Sequence, residues 1–320
     1  MSKFFEAGEA SDPAYVMWRD EPFYASCRER VERLWSTYEP VCPDHHFRIE
    51  AKTHFLQRTW EMHLACILMD HGAVLQKPPP AGPDICIGSD PLIWVEAVAV
   101  GPGEGVDRVL SQEERQYEDG PDDPNAWAGD LPSEESLILR CTNALETKRA
   151  AFRRYRDTGV VAERDICIVA ISFAAIDDAF YSFNYAEVPI VIKALFAIGP
   201  DMLSFPREGD APPNWVHPHR PRTTKNSGAP VRANVFSGGH ANDISGVFAT
   251  AWDLANSSDS GEKLMFVNNP TARNLIPSGT FRFGSEFIAG AEGITRRHWS
   301  PFNPLTGGPW PTPKFSVKEG

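Results

Sequence analysis

The chain has 320 residues, of which 42% are hydrophobic and 23% are charged, so it carries enough apolar side chains for a large buried core. At about 150 residues per domain, this length fits one large domain or two ordinary ones. The net charge of −12 excludes a protein covered in basic surface, such as a histone-like protein, but leaves room for a local basic groove. With 28 prolines and 24 glycines, long irregular connections are expected.

The six cysteines are scattered along the chain, and none forms a CxxC pair. A disulfide framework or a structural zinc site is therefore not expected, and this cysteine usage favours a reducing cytoplasm. No apolar run reaches the roughly 18 residues that cross a bilayer, and the N-terminus lacks the pattern of a secretory signal. We therefore expect a soluble, cytoplasmic protein that does not enter a membrane.

The first third of the chain predicts helices followed by strands. Apolar spacing in residues 14–38 predicts a helix after Pro22. A second helix is predicted from about Asp44, a plausible N-cap, to His71, with Gly72 just past its end. Three short strands are then predicted, at 73–76, 83–88 and 92–100.

The middle of the chain predicts a second alternation of helix and strand. A loop at 101–132 precedes a helix at 133–158, which Ser133 caps and Gly159 ends. An apolar strand at 165–173 follows, with the composition of a strand covered on both faces. A helix-like run then ends at Gly199. The order helix, three strands, helix, strand, helix predicts a mixed α/β core with a central sheet between helices.

We divide the chain into an N-terminal helical segment at 1–43, the α/β core at 44–204 and a loop-rich extension with added strands at 205–320. The strands near 244–254 and 263–268 are expected to join the central sheet or to pack beside it. The irregular stretch at 205–233 is long for a simple linker, so we expect it to line the mouth of a cleft or to be mobile.

The pair Asp84 and Glu96 is the most informative feature of the sequence. If the turn between their strands is centred on Asp90, the two residues lie directly opposite each other and point to the same face. Two carboxylates at that spacing repel each other unless a cation lies between them, and hard oxygen ligands suit Mg²⁺ or Mn²⁺. In the alternative interpretation, Asp84 caps a turn and Glu96 faces solvent.

The helix before these strands carries a polar stripe. Glu50, Gln57 and Glu61 fall on this stripe because eleven residues make close to three turns, and Arg58 borders it. In an isolated helix, Glu61 would simply belong to a solvated face. Here the helix leads directly into the strands that carry Asp84 and Glu96, so Glu61 is a candidate for the same site.

A helix with a glutamate, a strand that opens with Pro83-Asp84, a strand with Glu96, then a helix and a strand resembles the PD-(D/E)XK nuclease superfamily, which has the restriction-endonuclease-like fold. The resemblance covers about residues 44–175. Within it, the segments RTWEMHLACILMDHG, GPDI and WVEAVA are similar to a divergent bacterial branch. The resemblance implies catalytic roles for Glu61, Asp84 and Glu96, with Asp84 and Glu96 as the ligands of Mg²⁺ or Mn²⁺.

One position departs from the family pattern. The family has a lysine two residues after the glutamate, where it orients the attacking water and stabilises charge on the phosphate, but this chain has Val98. In some branches the next helix supplies the basic group. That helix offers Lys148, our preferred candidate, and Arg140. Without any replacement, the domain would bind without catalysis.

Basic residues also cluster on the second half of that helix, including Arg149 and Arg153. A cluster of this kind can follow a phosphate backbone, and we assign nucleic-acid binding to Arg58, Arg140, Arg149 and Arg153. The alternative, a solvated helix surface paired with nearby acids, is equally open. The loop HPHRPRTTK at 217–225 is a second basic patch. The stretches GPGEG and SGGHAND indicate neither a phosphate-binding loop nor a hydrolase triad.

The sequence therefore predicts a metal-dependent nuclease that hydrolyses phosphodiester bonds of nucleic acid. DNA is the expected substrate, and the sequence alone does not decide between DNA and RNA. A catalytically silent module that binds nucleic acid or protein on the same fold is the alternative, because of Val98. An enzyme of unrelated chemistry in the C-terminal region is a third hypothesis. The oligomeric state stays open, including a homodimer.

Overall fold

The structure is a computed structural model that describes residues 2–88, 90–116, 131–184, 186, 188–205, 214–257, 259–291, 293–299 and 314–315. Most of the predicted loop at 101–132 after residue 116, and nearly all of the predicted tail from residue 300, lie outside these residues.

Eight α-helices lie within the described residues. They are α1 (Pro13–Asp20), α2 (Ala25–Tyr38), α3 (Phe47–Ala51), α4 (Phe55–Asp70), α5 (Gln112–Gln116), α6 (Glu134–Asp157), α7 (Ala179–Asn184) and α8 (Ile190–Phe196). Short 3₁₀ turns occur at Pro22–Tyr24 and Gly105–Asp107.

Thirteen strands lie in the same part of the chain. They are β1 (Leu75–Gln76), β2 (Ile85–Ile87), β3 (Ile93–Ala99), β4 (Ile166–Ser172), β5 (Met202–Ser204), β6 (Asn214–Val216), β7 (Arg222–Thr224), β8 (Pro230–Arg232), β9 (Gly246–Thr250), β10 (Met265–Asn268), β11 (Ser285–Gly290), β12 (Gly293–His298) and β13 (Lys314–Phe315).

Nine of these strands form one mixed sheet in the order β1-β2-β3-β4-β9-β10-β11-β12-β13. The first three strands pair antiparallel, whereas β4 runs parallel to β3 and β9 runs parallel to β4. β5 with β6 and β7 with β8 form two small separate hairpins. Since β9 and β10 extend the central sheet, the expectation that the strands near 244–254 and 263–268 join it is confirmed.

Helices cover both faces of the sheet, as expected for a mixed α/β core. On one face, Trp94 and Val169 pack with α6 and α8; on the other, Val95 and Ile168 pack with α2 and α4. This alternation follows from the strand period of two, and the seven residues of β4 are all buried because both faces of that strand are covered. The two apolar layers fix α4 and α6 on opposite sides of β3.

The predicted helix at 44–71 is wrong in one respect, because it is broken into α3 and α4 at residues 52–54. Asp12 accepts hydrogen bonds from the backbone N–H groups of Ala14 and Phe55, so its one carboxylate caps the starts of both α1 and α4. Asp44 is not the helix N-cap, which is His46, although the end at His71 before Gly72 is confirmed. The cap comes from 43 residues away, so local spacing could not reveal the break.

The helix expected after Pro22 is confirmed as α2, and the structure adds α1 before it. The caps predicted for α6 are also confirmed: the Ser133 side chain accepts a hydrogen bond from the Ser136 N–H, and Gly159 follows the C-cap with a positive φ. Sequence analysis missed α7 and the β11–β12 hairpin. Among the helices described, none combines the length and apolarity needed to cross a membrane.

Candidate functional site

The β2–β3 hairpin has the register predicted from the sequence. Ile85 pairs with Val95 and Cys86 pairs with Trp94, so the same register continued by one residue sets Asp84 opposite Glu96. Glu96 shares the α6 side of the sheet with Trp94, because alternate residues of a strand point to the same face. The pattern of apolar burial on both strands matches the prediction, and it brings the two acidic residues together.

Asp84 contacts both the backbone of β3 and the side chain of Glu96. Its carboxylate accepts a hydrogen bond of 2.7 Å from the Ala97 N–H, and it is also within hydrogen-bonding contact of the Glu96 carboxyl. Burial is the main cause that raises the pKa of Glu96, and the negative charge of Asp84 raises it further. Two carboxyl groups in such contact require a proton or a cation between them.

Two side chains of α6 reach Glu96 from above the sheet. The Lys148 Nζ lies 3.5 Å from one Glu96 oxygen, and the Tyr155 hydroxyl donates a 2.9 Å hydrogen bond to the other. Val98 faces the same apolar layer and is partly buried in it. The structure therefore brings Lys148 to the pair from a different element, as expected of a migrated basic group, whereas Arg140 makes no ion pair with Glu96 in the part of the chain described.

Sequence analysis missed Tyr155 as a member of this site. It follows Lys148 by seven residues, close to two helical turns, so both side chains leave the same face of α6. The spacing of Lys148 and Tyr155 was visible in the sequence. It does not indicate a shared site until Lys148 is known to face the sheet.

Glu61 lies on α4, on the other side of the sheet from α6, and is close enough to Asp84 for their negative charges to interact. It is 1% exposed, and its carboxylate accepts hydrogen bonds from the Tyr38 hydroxyl at 2.7 Å and from Arg58 at 2.8 Å. Burial raises the pKa of Glu61 first, and the charge of Asp84 adds to it, while Arg58 opposes both. The Tyr38 contact was also missed, because it bridges two helices that are distant in sequence.

Gln57 connects α4 to the backbone of β3 through two hydrogen bonds. Its side-chain amide donates to the Ala97 carbonyl at 3.2 Å, and its oxygen accepts from the Ala99 N–H at 2.7 Å. β3 extends beyond its partner β2, and here Asp84 and Gln57 satisfy backbone groups that a neighbouring strand would otherwise bind. The backbone of β3 is thus fixed around Glu96 by two polar side chains.

As metal ligands, the described residues offer a pair of carboxylates and no larger group. No set of three or more histidine, cysteine, aspartate or glutamate side chains is arranged to hold a metal in the described ranges. Mg²⁺ often binds through one or two carboxylates and keeps several waters. The oxygen-only chemistry of Asp84 and Glu96 fits that requirement, whereas zinc sites usually include cysteine or histidine ligands.

The four arginines predicted to bind nucleic acid have different surroundings. Arg58 bridges Glu61 to Glu50 and Asp44, and Arg149 is buried with ion pairs to Glu146 and Asp243. Their guanidinium groups are enclosed by carboxylates, so a phosphate would compete with these ion pairs, and nucleic-acid binding by Arg58 and Arg149 stays a prediction.

The other two arginines remain available to a ligand. The Arg153 side chain is 58% exposed and has one contact with Asp243, at 3.2 Å. Arg140 is half-buried, and no ion pair is found for it among the described residues. Both therefore stay candidates for phosphate binding.

Comparison with family models, with curated proteins and with solved structures gave no match in any of the three.

Proposed function

We propose that this protein is a metal-dependent nuclease, and that its core has the restriction-endonuclease-like fold. The observation that carries the proposal is the Asp84–Glu96 pair with Lys148 directed at Glu96 from the next helix. The succession α4, β2, β3, α6 and β4 supports it, because this is the order of elements on which the resemblance to the PD-(D/E)XK superfamily rests. A fold likeness alone would not define a function, so the side-chain geometry is the stronger support.

Asp84 and Glu96 would hold Mg²⁺ or Mn²⁺. When bound, the ion would polarise the scissile phosphate and lower the pKa of a water ligand. The two carboxylates lie at the end of a hairpin and are fixed by the Ala97 N–H and by Tyr155, so they are preorganised.

The other side chains of the site would stabilise charge or hold the proposed metal ligands in place. The Lys148 ammonium supplies a compact positive charge next to Glu96, where it can stabilise the charge that develops on the phosphate oxygens and orient the attacking water. Tyr155 keeps the Glu96 carboxylate in place. Glu61, held by Tyr38 and Arg58, would act on Asp84 through its charge.

The test is digestion of plasmid and short duplex or single-stranded DNA and RNA by the purified chain with Mg²⁺ or Mn²⁺, and with EDTA as the metal-free control. We expect metal-dependent cleavage that Asp84→Asn abolishes. Asp90→Asn is the matched control, since Asp90 is an exposed acid on the turn between the same two strands. Equal activity of both variants would contradict the proposal, because a contaminating nuclease is not affected by either change.

The catalytically silent binding module is the second candidate. The observation that favours it is Val98, which stands at the position where the family has its lysine. In that case the wild-type chain binds nucleic acid or protein, shows no cleavage with either metal, and is unaffected by Asp84→Asn.

A further inference from the structure

A cationic groove lies between α6 and the segment 225–240. We call it the α6 groove; its volume is about 630 Å³, within the range of about 300–1,000 Å³ that is common for ligand sites. Its basic lining residues come from both sides of the groove: Arg140, Arg149 and Arg153 on α6, and Lys225, Arg232 and His240 on the opposite segment.

Arg140 is the exceptional member of this groove. Its Nε is buried and has no hydrogen-bond partner, and no carboxylate forms an ion pair with its guanidinium in the described ranges. Burial alone lowers the pKa of Arg140, with no opposing acid. A half-buried guanidinium without an anion is costly, so this position has the character of an anion site.

Gly103 packs directly against the guanidinium of Arg140. A Cβ at this position would lie 2.6 Å from the Arg140 Nη1, and the glycine has a φ of +88°. Both the close approach and the backbone conformation require glycine here. The GPGEG stretch therefore has a definite structural role, as the seat of this guanidinium, although it is not a phosphate-binding loop.

Basic side chains outnumber acidic side chains in the lining of the α6 groove. Among its acids, Glu146 is paired with Arg149 at 2.7 Å, Asp107 accepts the Asn226 N–H at 2.7 Å, and the exposed Glu104 is the third. On the opposite wall, Lys225 and Arg232 form no ion pair with an acid in the part of the chain described, and Arg232 instead donates to the His240 Nδ1 at 2.5 Å.

We propose that the α6 groove binds the sugar-phosphate backbone of a nucleic-acid strand beside the cleavage site, with Arg140 and Arg232 contacting phosphates from opposite walls. This inference rests on the proposed function. Arg140 precedes Lys148 by eight residues on α6, which is about 12 Å along the helix axis. The same eight residues also turn by about 80° around the helix beyond two full turns, so a strand that passes around this side of α6 would have one phosphate in the groove and another at Glu96.

Binding of a labelled oligonucleotide in EDTA tests the groove without any cleavage. We expect Arg140→Gln and Arg232→Ala each to weaken affinity about three- to tenfold, and to reduce the slope of log affinity against log salt by about 0.7–0.9 for each lost phosphate contact. Gly103→Ala should reproduce the Arg140→Gln effect, because the added Cβ displaces the guanidinium. Arg154→Ala is the matched control: it removes an exposed charge from α6 outside the groove and should change affinity less than twofold.

The outcomes separate this inference from the proposed function. Weaker binding by the groove variants supports the groove even if the wild-type chain never cleaves, whereas cleavage by a chain whose groove variants bind normally overturns the groove alone. Equal effects of Arg154→Ala and Arg232→Ala would indicate nonspecific charge and overturn it. Binding of inorganic phosphate or a nucleoside monophosphate, without measurable binding of the oligonucleotide, would also overturn it in favour of a small-ligand site.

Discussion

Two buried glutamates of the same sheet have different surroundings. Glu286 on β11 is 1% exposed, and donors surround its carboxylate: the Asn268 side chain at 2.8 Å, the Gly279 N–H at 3.0 Å and the Ser278 hydroxyl at 3.2 Å, with the Arg297 guanidinium at 3.8 Å. Glu96 on β3 is 4% exposed, but it contacts another carboxyl group and a lysine. The two glutamates are therefore buried to a similar extent, and they differ in the groups that contact their carboxylates.

This difference distinguishes a carboxylate that donors surround from one that contacts a second carboxyl group. A carboxylate surrounded by donors is stable as it is, because each oxygen lone pair has a partner. A carboxylate in contact with another requires a further cation or a proton, so the Asp84–Glu96 pair is incomplete in a way that Glu286 is not. The predictions below test whether that incompleteness is functional.

The largest expected effect separates the two glutamates. Glu96→Gln should reduce metal-dependent cleavage by more than about a thousandfold, because it would remove one of the two proposed metal ligands. Glu286→Gln should leave cleavage by the folded protein within a few-fold of wild type, but it should lower the free energy of unfolding by about 1.5–3 kcal/mol, since charge-assisted hydrogen bonds are lost. Cleavage rates and urea unfolding measure the two effects. Equal loss of activity in both variants would remove the distinction between the two sites.

Lys148→Ala should have the second largest effect. Removal of one group that stabilises developing charge lowers kcat by about 10²–10³-fold, and nucleic-acid affinity in EDTA should change little. Arg154→Ala on the same helix is the control for the lost charge. If Lys148→Ala retains full metal-dependent activity, the basic group is not Lys148, and Arg140 is the next candidate to test.

The sequence predicted the Asp84–Glu96 pair because the two strands are joined by one short turn. Once the centre of that turn is known, the register follows, and the numbers of paired residues add to 180. The choice of Lys148 on α6 came from the resemblance, in which the next helix can supply the basic group, and the 3.5 Å contact with Glu96 agrees with it. The sequence did not predict the contacts of Tyr38 with Glu61 or of Asp12 with Phe55, which depend on how helices far apart in sequence pack. The burial of Arg149 likewise depends on Asp243, 94 residues away.

The two tyrosines allow a smaller test within the candidate site. Tyr155→Phe removes the hydrogen bond to Glu96, so cleavage should fall by about tenfold, which corresponds to roughly 1.4 kcal/mol in the activation free energy. Tyr38→Phe removes the hydrogen bond to the fully buried Glu61 and should mainly lower stability. Tyr24→Phe, whose ring stacks on Trp18, is the control for both. A purely structural Tyr155 would reduce stability without reducing kcat.

The smallest expected effect is a pH dependence of stability in the metal-free protein. Burial and Asp84 raise the pKa of Glu96 above its unfolded value, so folding binds a proton at this pair. The resulting stabilisation is fully present below the unfolded pKa of about 4.3 and is lost as pH rises through the higher folded pKa. The Tm in EDTA should therefore fall by a few degrees more between pH 6 and pH 9 in wild type than in Glu96→Gln. Mn²⁺ should raise the wild-type Tm more at pH 9 than at pH 6, because metal binding requires ionised carboxylates. Parallel Tm curves for the two proteins, with no response to Mn²⁺, would show that Glu96 is as fully satisfied as Glu286.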